Sequence, residues 1–223
     1  YISGDPNIPD TSEYNIQINF VGTWTAGLRQ AFISAADAIS DFILGDVAAA
    51  GTRRSPIDDL VITASLVHID GPGLILGQAG PTAVRFGSLL PYKGTMQFDI
   101  DDANYYAGLG LFDDIVLHEM LHTVGFGTIW TYKGLIADAG TIAPTFNGPL
   151  ANAVYPGTDP IPLETGFGEG TDESHWDEDA FTNELMTGFI DNDNTLSYMT
   201  IASLGDLGYS VVSGASYLPP SFI

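Results

Sequence analysis

His118-Glu119-Met120-Leu121-His122 is the string in this sequence whose residue types and spacing can do chemistry. On an α-helix, residues four apart differ by about 40° in direction and about 6 Å in height, so two imidazoles can converge on one ion about 2 Å from each nitrogen. Glu119 is rotated about 100° from His118, which sets its carboxylate beside such an ion rather than on it. It is then free to act as a base, and the chemistry implied is hydrolysis by a metal-activated water.

A catalytic zinc needs a third protein ligand and an open fourth position. The chain has four His and no Cys, which removes thiolate ligands and disulfide frameworks and leaves His, Asp or Glu to hold any metal. His175, in Glu173-Ser174-His175-Trp176-Asp177, lies in an irregular region where a loop can carry it over the helix. His68 lies in the hydrophobic run 60–69 and reads as a hydrogen-bonded core residue. His175 is the favoured third ligand, with Glu164 or Glu169 as the alternative.

The elements that must position these residues follow from periodicity. Tyr14, Ile16, Ile18 and Phe20 alternate with polar residues, a half-buried strand over 14–21. Leu28, Ala31, Phe32, Ala35, Ala36, Ile39, Phe42 and Ile43 recur at helical spacing within a helix over 25–44. Strands are expected over 60–69 and 95–100, with a further one starting at Leu74-Ile75-Leu76, and Asp101-Asp102 reads as an acidic turn. The second long helix, 109–124, has almost no polar face and must be buried; two His and a Glu on it would be costly to desolvate unless something binds them. Gly125 ends it, a residue that readily takes the left-handed cap conformation. Residues 1–13 read as a polar arm outside the core, and a last helix is expected over 200–207.

The run His118 to Phe126 resembles the zinc helix of the metzincin metallopeptidases, with Gly125 as the turning glycine. Most metzincins place the third His three residues later, where this chain has Thr128. The leishmanolysin branch instead inserts a long segment before a His-Trp pair and then a Glu-Leu-Met turn; here these are His175-Trp176 and Glu184-Leu185-Met186. The resemblance implies zinc held by His118, His122 and His175, Glu119 as general base, Met186 as an apolar floor below the metal, and an endopeptidase acting on proteins or peptides. It also implies a metzincin-like α+β fold: a twisted mixed β-sheet with two long helices in an N-terminal lobe, 1–125, a loop-rich C-terminal lobe, 126–223, and a zinc cleft between them. Leishmanolysins carry disulfides, a further domain and a lipid-anchor signal that this sequence lacks, so it looks like a compact, bacterial-type relative.

The charge balance, 6 Lys+Arg against 28 Asp+Glu for a formal −22, argues against nucleic acid and anionic membrane as partners. No apolar stretch is long enough to span a bilayer, and the start at Tyr1 without a leader suggests a processed form. An extracellular, monomeric protein is expected. Asp191-Asn192-Asp193-Asn194 has the oxygen-rich character of a calcium loop but lacks the glycine and distal Glu of an EF-hand. Trp176 reads as a packing wedge, and one carboxylate among Asp172, Glu173, Asp177, Glu178 and Asp179 could orient a ligand imidazole. The non-enzymatic alternative is a calcium-dependent binding module, in which Glu119 would be dispensable.

Overall fold

The computed structural model describes residues 1–73 and 75–214. It is a mixed α+β structure whose chain forms two compact units, one over residues 1–124 and the other from Gly125 onward.

The first unit is built on a four-stranded mixed sheet in the order β1-β4-β6-β5. Strands β1 (Ile16–Val21), β4 (Leu60–Val67) and β6 (Pro91–Asp99) run parallel, and β5 (Gly77–Val84) is antiparallel on β6. A small hairpin, β2 (Ala50–Thr52) with β3 (Ser55–Ile57), lies in the β1–β4 connection. Helix α1 (Ala26–Phe42) forms because Thr25 caps it, its side chain accepting from the Leu28 N–H at 3.2 Å, and because seven of the eight apolar positions expected on one face are buried along it; the eighth, Ile43, is buried too but stands past the last turn as the extended C-cap residue.

The structure departs from the sequence expectations at several points, for physical reasons. The acidic pair Asp101-Asp102 is the first turn of a separate helix, α2 (Ile100–Leu109), capped by Asp99, whose carboxylate accepts from the Asp101 N–H at 2.8 Å. Gly110, at φ 77°, closes α2, so the second long helix starts later, as α3 (Phe112–Val124). Residues 1–3 are not a free arm: Ile2 bridges Gln17, and Ser3 is buried with its N–H on the Ile16 carbonyl, covering the outer edge of β1. Of the run expected to start a strand, Leu74 lies outside the described residues, while Ile75 and Leu76 precede β5. Strand β6 begins four residues earlier than expected, its Lys93-Gly94 hiding the apolar signal.

The α3 helix packs against α1, β5 and β6. Gly94 permits this: a Cβ there would lie 2.1 Å from Thr123 Cγ2 and 3.0 Å from the Gly80 carbonyl oxygen. Arg85 braces the β5–β6 hairpin, its guanidinium donating to the carbonyls of Ala48, Asp58, Asp59 and Pro91.

The second unit has little regular structure: α4 (Trp130–Lys133), a three-stranded sheet of β7 (Ile136–Ala137), β8 (Thr145–Phe146) and β9 (Ile161–Pro162), then α5 (Pro149–Val154), α6 (Glu178–Phe181) and α7 (Tyr198–Leu207). Its centre is aromatic: Phe126, Trp130, Phe146 and Trp176 are fully buried with neighbouring ring centroids 4.5 to 5.3 Å apart. Trp176 is thus the packing wedge expected. Helix α7 is capped by Ser197 and closed by Gly208 at φ 108°.

Two predictions follow from this packing. Gly94→Ala should lower the melting temperature by roughly 2–8 °C through overpacking against Thr123, and adding Thr123→Ser, which deletes the colliding methyl, should recover most of the loss; a G94A protein as stable as wild type would contradict the close approach. Asp59 is buried, and that burial, with some help from Asp46 and Asp58, raises its carboxyl to about 7 although the Asn15 and Val47 N–H groups pull it down. The folded state therefore keeps a proton that the unfolded chain releases, and its contribution to stability falls as pH rises from about 4 to about 7. Melting temperatures of wild type and Asp59→Asn should accordingly diverge in favour of the variant across that window, and a pH-independent difference would refute the shift.

Candidate metal centre

The α3 helix places its Phe112, Ile115, Val116, Leu117, Met120, Leu121 and Val124 in the core. Asp113 and Asp114 occupy its first turn, where carboxylates favour the dipole. At its end Gly125 has φ 125°, and a Cβ there would meet Ile129 Cδ1 at 2.9 Å, so both backbone and space demand glycine. With the helix so fixed, His118 and His122 stand on one face, their Nε2 atoms 3.0 Å apart and their rings 4.7 Å apart. Two imidazoles on a tetrahedral zinc need an N···N separation of about 3.3 Å, so the pair is close to ligand spacing before any ion is considered.

His175 joins them. One ring nitrogen from each of His118, His122 and His175 lies within 4.8 Å of the others, His118 being half-buried and the other two buried. Such a group can hold a metal ion, and the donor set fits: three imidazoles in one place are tolerable as neutral lone pairs around a cation and unfavourable as neighbouring cations. His175 Nδ1 lies 3.1 Å from the Thr171 carbonyl oxygen and 3.1 Å from Ser174 Oγ. A carbonyl only accepts, so Nδ1 carries the proton and Nε2 offers the lone pair. Of the acidic cluster, Asp172 accepts from the Phe167 and Gly168 N–H groups, Glu173 from Gly140, and Asp177 caps α6.

Main-chain bonds bracket the ligand. The Glu164 N–H donates to the His175 carbonyl at 3.1 Å, and the Trp176 N–H donates to the Met186 carbonyl at 3.0 Å. Gly127 admits the turn that leads into His175, since a Cβ there would sit 2.2 Å from the Ser174 carbonyl oxygen. Met186 is fully buried. Glu164, weighed as an alternative ligand, spends its carboxylate on the N–H groups of Thr165 and Glu178, at 3.0 and 2.9 Å. Neither Glu164 nor Glu169 joins the histidine group.

Glu119 is half-buried next to His118, and burial raises its carboxyl to about 7. An adjacent cation would favour the carboxylate and pull that value down.

His68 corrects the sequence reading. It lies just past β4 with its side chain 79% exposed and Nδ1 3.3 Å from Asp101 Oδ2, so it is a surface residue and not a core one. Two further acidic groupings occur among the described residues, His68-Asp99-Asp101 and Asp46-Asp58-Asp59. Both are explained without a ligand. Asp99 takes four backbone N–H groups, from Asp101, Ile69, Asp70 and Gly71, which hold its carboxyl down at about 2 and leave it facing donors at a helix start. Asp59 takes two and is raised toward neutrality by burial. The Asp191–Asn194 segment is a turn closed on itself, Asn194 accepting from the Asp191 N–H and donating to the Asp191 carbonyl, both at 2.9 Å. Asp191 and Asp193 gather no third carboxylate or imidazole among the described residues.

One residue that matters here was invisible as chemistry in the sequence. Glu184 reads there as the first letter of a turn motif, yet its buried carboxylate accepts from the Met186 N–H, the Ser197 N–H and hydroxyl, and the Thr200 hydroxyl. Its hydroxyl partners lie 13 and 16 residues away, beyond the reach of local pattern.

Loaded with zinc and freed of excess, the chain should hold one equivalent. His175→Ala should weaken binding by more than ~100-fold, beyond the loss typical of an outer partner, while His68→Ala leaves it unchanged. Equal metal content in wild type and H175A would refute the grouping.

Among the described residues no helix is long and apolar enough to cross a membrane. No protein-family model matches the chain, and no curated protein matches it by sequence, so the meaning of the site rests on its own geometry and chemistry.

Proposed function

We propose that the chain is a zinc-dependent endopeptidase of metzincin type, in the leishmanolysin-like branch, acting outside the cell as a monomer on protein or peptide substrates. The observation that carries this reading is the gathering of one ring nitrogen from each of His118, His122 and His175 within 4.8 Å, with the Glu119 carboxyl on the same helix. Zinc, when bound, supplies Lewis acidity to polarise the scissile carbonyl and makes water acidic enough to lose its proton near neutral pH.

The chain's own residues do the rest. Glu119 accepts the proton at a carboxylate oxygen and delivers it to the departing amine nitrogen, so the same group serves as base and then acid. Three neutral imidazoles leave the full positive charge of the ion to act on the substrate, where a carboxylate ligand would offset part of it. Met186 is assigned the apolar floor below the ion, a role supported by its burial and by the bond of its carbonyl to the Trp176 N–H. No residue of the chain needs to be acylated.

Substrate binding as an added strand is supported by the sheet order. The outer edge of β1 is covered by residues 1–3, whereas β5 is the opposite edge strand and packs on α3, the helix of His118 and His122. An extended peptide laid along β5 would be held mainly by its main chain. Beyond β5, residues 85–89 form the hairpin turn into β6, closed by the Leu89 N–H on the Arg85 carbonyl, with Leu89 at φ 60°. The acidic surface and the absence of cysteine support an extracellular setting and argue against nucleic acid as a partner.

Glu119→Gln keeps the shape and removes the proton acceptor. It should retain zinc while cleavage of casein falls by about 10²–10⁴-fold, and chelation should abolish wild-type cleavage. Casein cleavage that survives both chelator and E119Q would end the proposal, as would a non-enzymatic binding activity that E119Q leaves intact while the zinc-loaded wild type cuts nothing.

A further inference from the structure

His118 and His122 are positioned by a packed helix, but His175 is carried by a stretch with almost no regular structure, 163–177, in which Glu173 holds φ 60°. Something must remove the conformational freedom of that stretch, or the entropy of ordering it would be taken out of metal affinity. Four buried residues form a closed ring of hydrogen bonds there. The Trp176 N–H donates to the Met186 carbonyl; the Met186 N–H donates to Glu184 Oε2; the Thr200 hydroxyl donates to Glu184 Oε1; and the Trp176 indole N–H donates to Thr200 Oγ1 at 2.8 Å. Trp176, Met186 and Thr200 are wholly buried and Glu184 nearly so. The ring holds Trp176 at both its backbone and its side chain, and Trp176 is the residue next to His175.

The direction of the bonds matters. A carboxylate only accepts, so both arms of the ring terminate on Glu184, and its remaining capacity is filled by the Ser197 N–H and hydroxyl at the start of α7. No neutral side chain satisfies this set. A glutamine in its place would turn its NH₂ toward either the Met186 or the Ser197 backbone N–H, neither of which can reverse, whereas the two hydroxyls could. Burying a carboxylate is costly, and burial alone pushes its pKa up against the pull of these donors. A latch that only joined two loops could have been apolar.

We infer that Glu184 is a positioning residue for the metal centre: its carboxylate closes the ring that fixes Trp176, and thereby sets the orientation in which the adjacent His175 imidazole completes the three-histidine group. The inference rests on the zinc-centre reading of that group. Thr200 is its second member, the hydroxyl through which the Trp176 indole reaches the carboxylate.

The test uses the full chain as Glu184→Gln, Thr200→Val and His175→Ala beside wild type. Zinc affinity is measured by competition with a chromogenic chelator, the visible spectrum is recorded after cobalt(II) substitution, and metal-free melting temperature reports the stability change separately. E184Q should bind zinc about 10–100-fold more weakly, with its cobalt spectrum displaced from wild type toward that of H175A, and T200V should move in the same direction by a smaller factor. A lowered melting temperature with wild-type zinc affinity and cobalt spectrum would overturn the inference, because a purely structural brace predicts that pattern. If E184Q fails to fold, T200V, which keeps the carboxylate bonded to Met186 and Ser197, decides by the same two readouts. The reading beneath the inference fails differently: a wild type without bound zinc, or an H175A spectrum identical to wild type, removes the metal centre itself.

Discussion

Three imidazoles that bring one ring nitrogen each into one small volume can act as neutral donors to a common cation, and on the proposed reading this constraint governs the rest of the site. Each ring must be neutral, with the nitrogen away from the centre holding its proton on an acceptor. For His175 the Thr171 carbonyl plays that part, with Nδ1 3.1 Å away. For His118 and His122 the helical spacing does most of the work, bringing Nε2 atoms to 3.0 Å. On the proposed reading such a donor set is costly to assemble without an ion and is stabilised by one, which would link folding to metal loading.

The two units solve the positioning problem in different ways. Residues 1–124 use regular structure: a sheet with a glycine at position 94 lets Thr123 and its helix sit close, and an apolar surround leaves α3 one orientation. Residues from Gly125 onward use irregular backbone pinned by buried polar groups and stacked aromatics. There the cluster of Phe126, Trp130, Phe146 and Trp176 gives bulk cohesion, while the ring through Glu184 supplies direction, which nondirectional burial cannot. Loops that carry function on a rigid frame need such fixing because few backbone bonds constrain them.

What the sequence made legible follows the range of the interactions involved. The His118–His122 pair, α1 and the Gly208-terminated α7 depend on spacings of three and four within one helix, and these could be read directly. Helix α2 could not, because Tyr105 and Leu109 are exposed and the helix shows no buried stripe; its signal was the Asp99 cap, easily mistaken for part of an acidic turn. His68 misled for the opposite reason: it sits at the end of a strand of apolar residues, one step past the last paired position. The bonds of Glu184 to Ser197 and Thr200 are set by tertiary packing, so a buried carboxylate looked like any other Glu. His175 could be selected from the residues only by elimination among four histidines, together with the His-Trp resemblance.

The central claim is a coordination shell, and zinc-edge X-ray absorption of the zinc-loaded protein reads it most directly. The account predicts three imidazole nitrogens with one further light oxygen scatterer, all at about 2.0–2.1 Å, and imidazole outer-shell features that drop by one ring in H175A. A shell of two imidazoles with carboxylate oxygens, or six oxygens without imidazole, would contradict it.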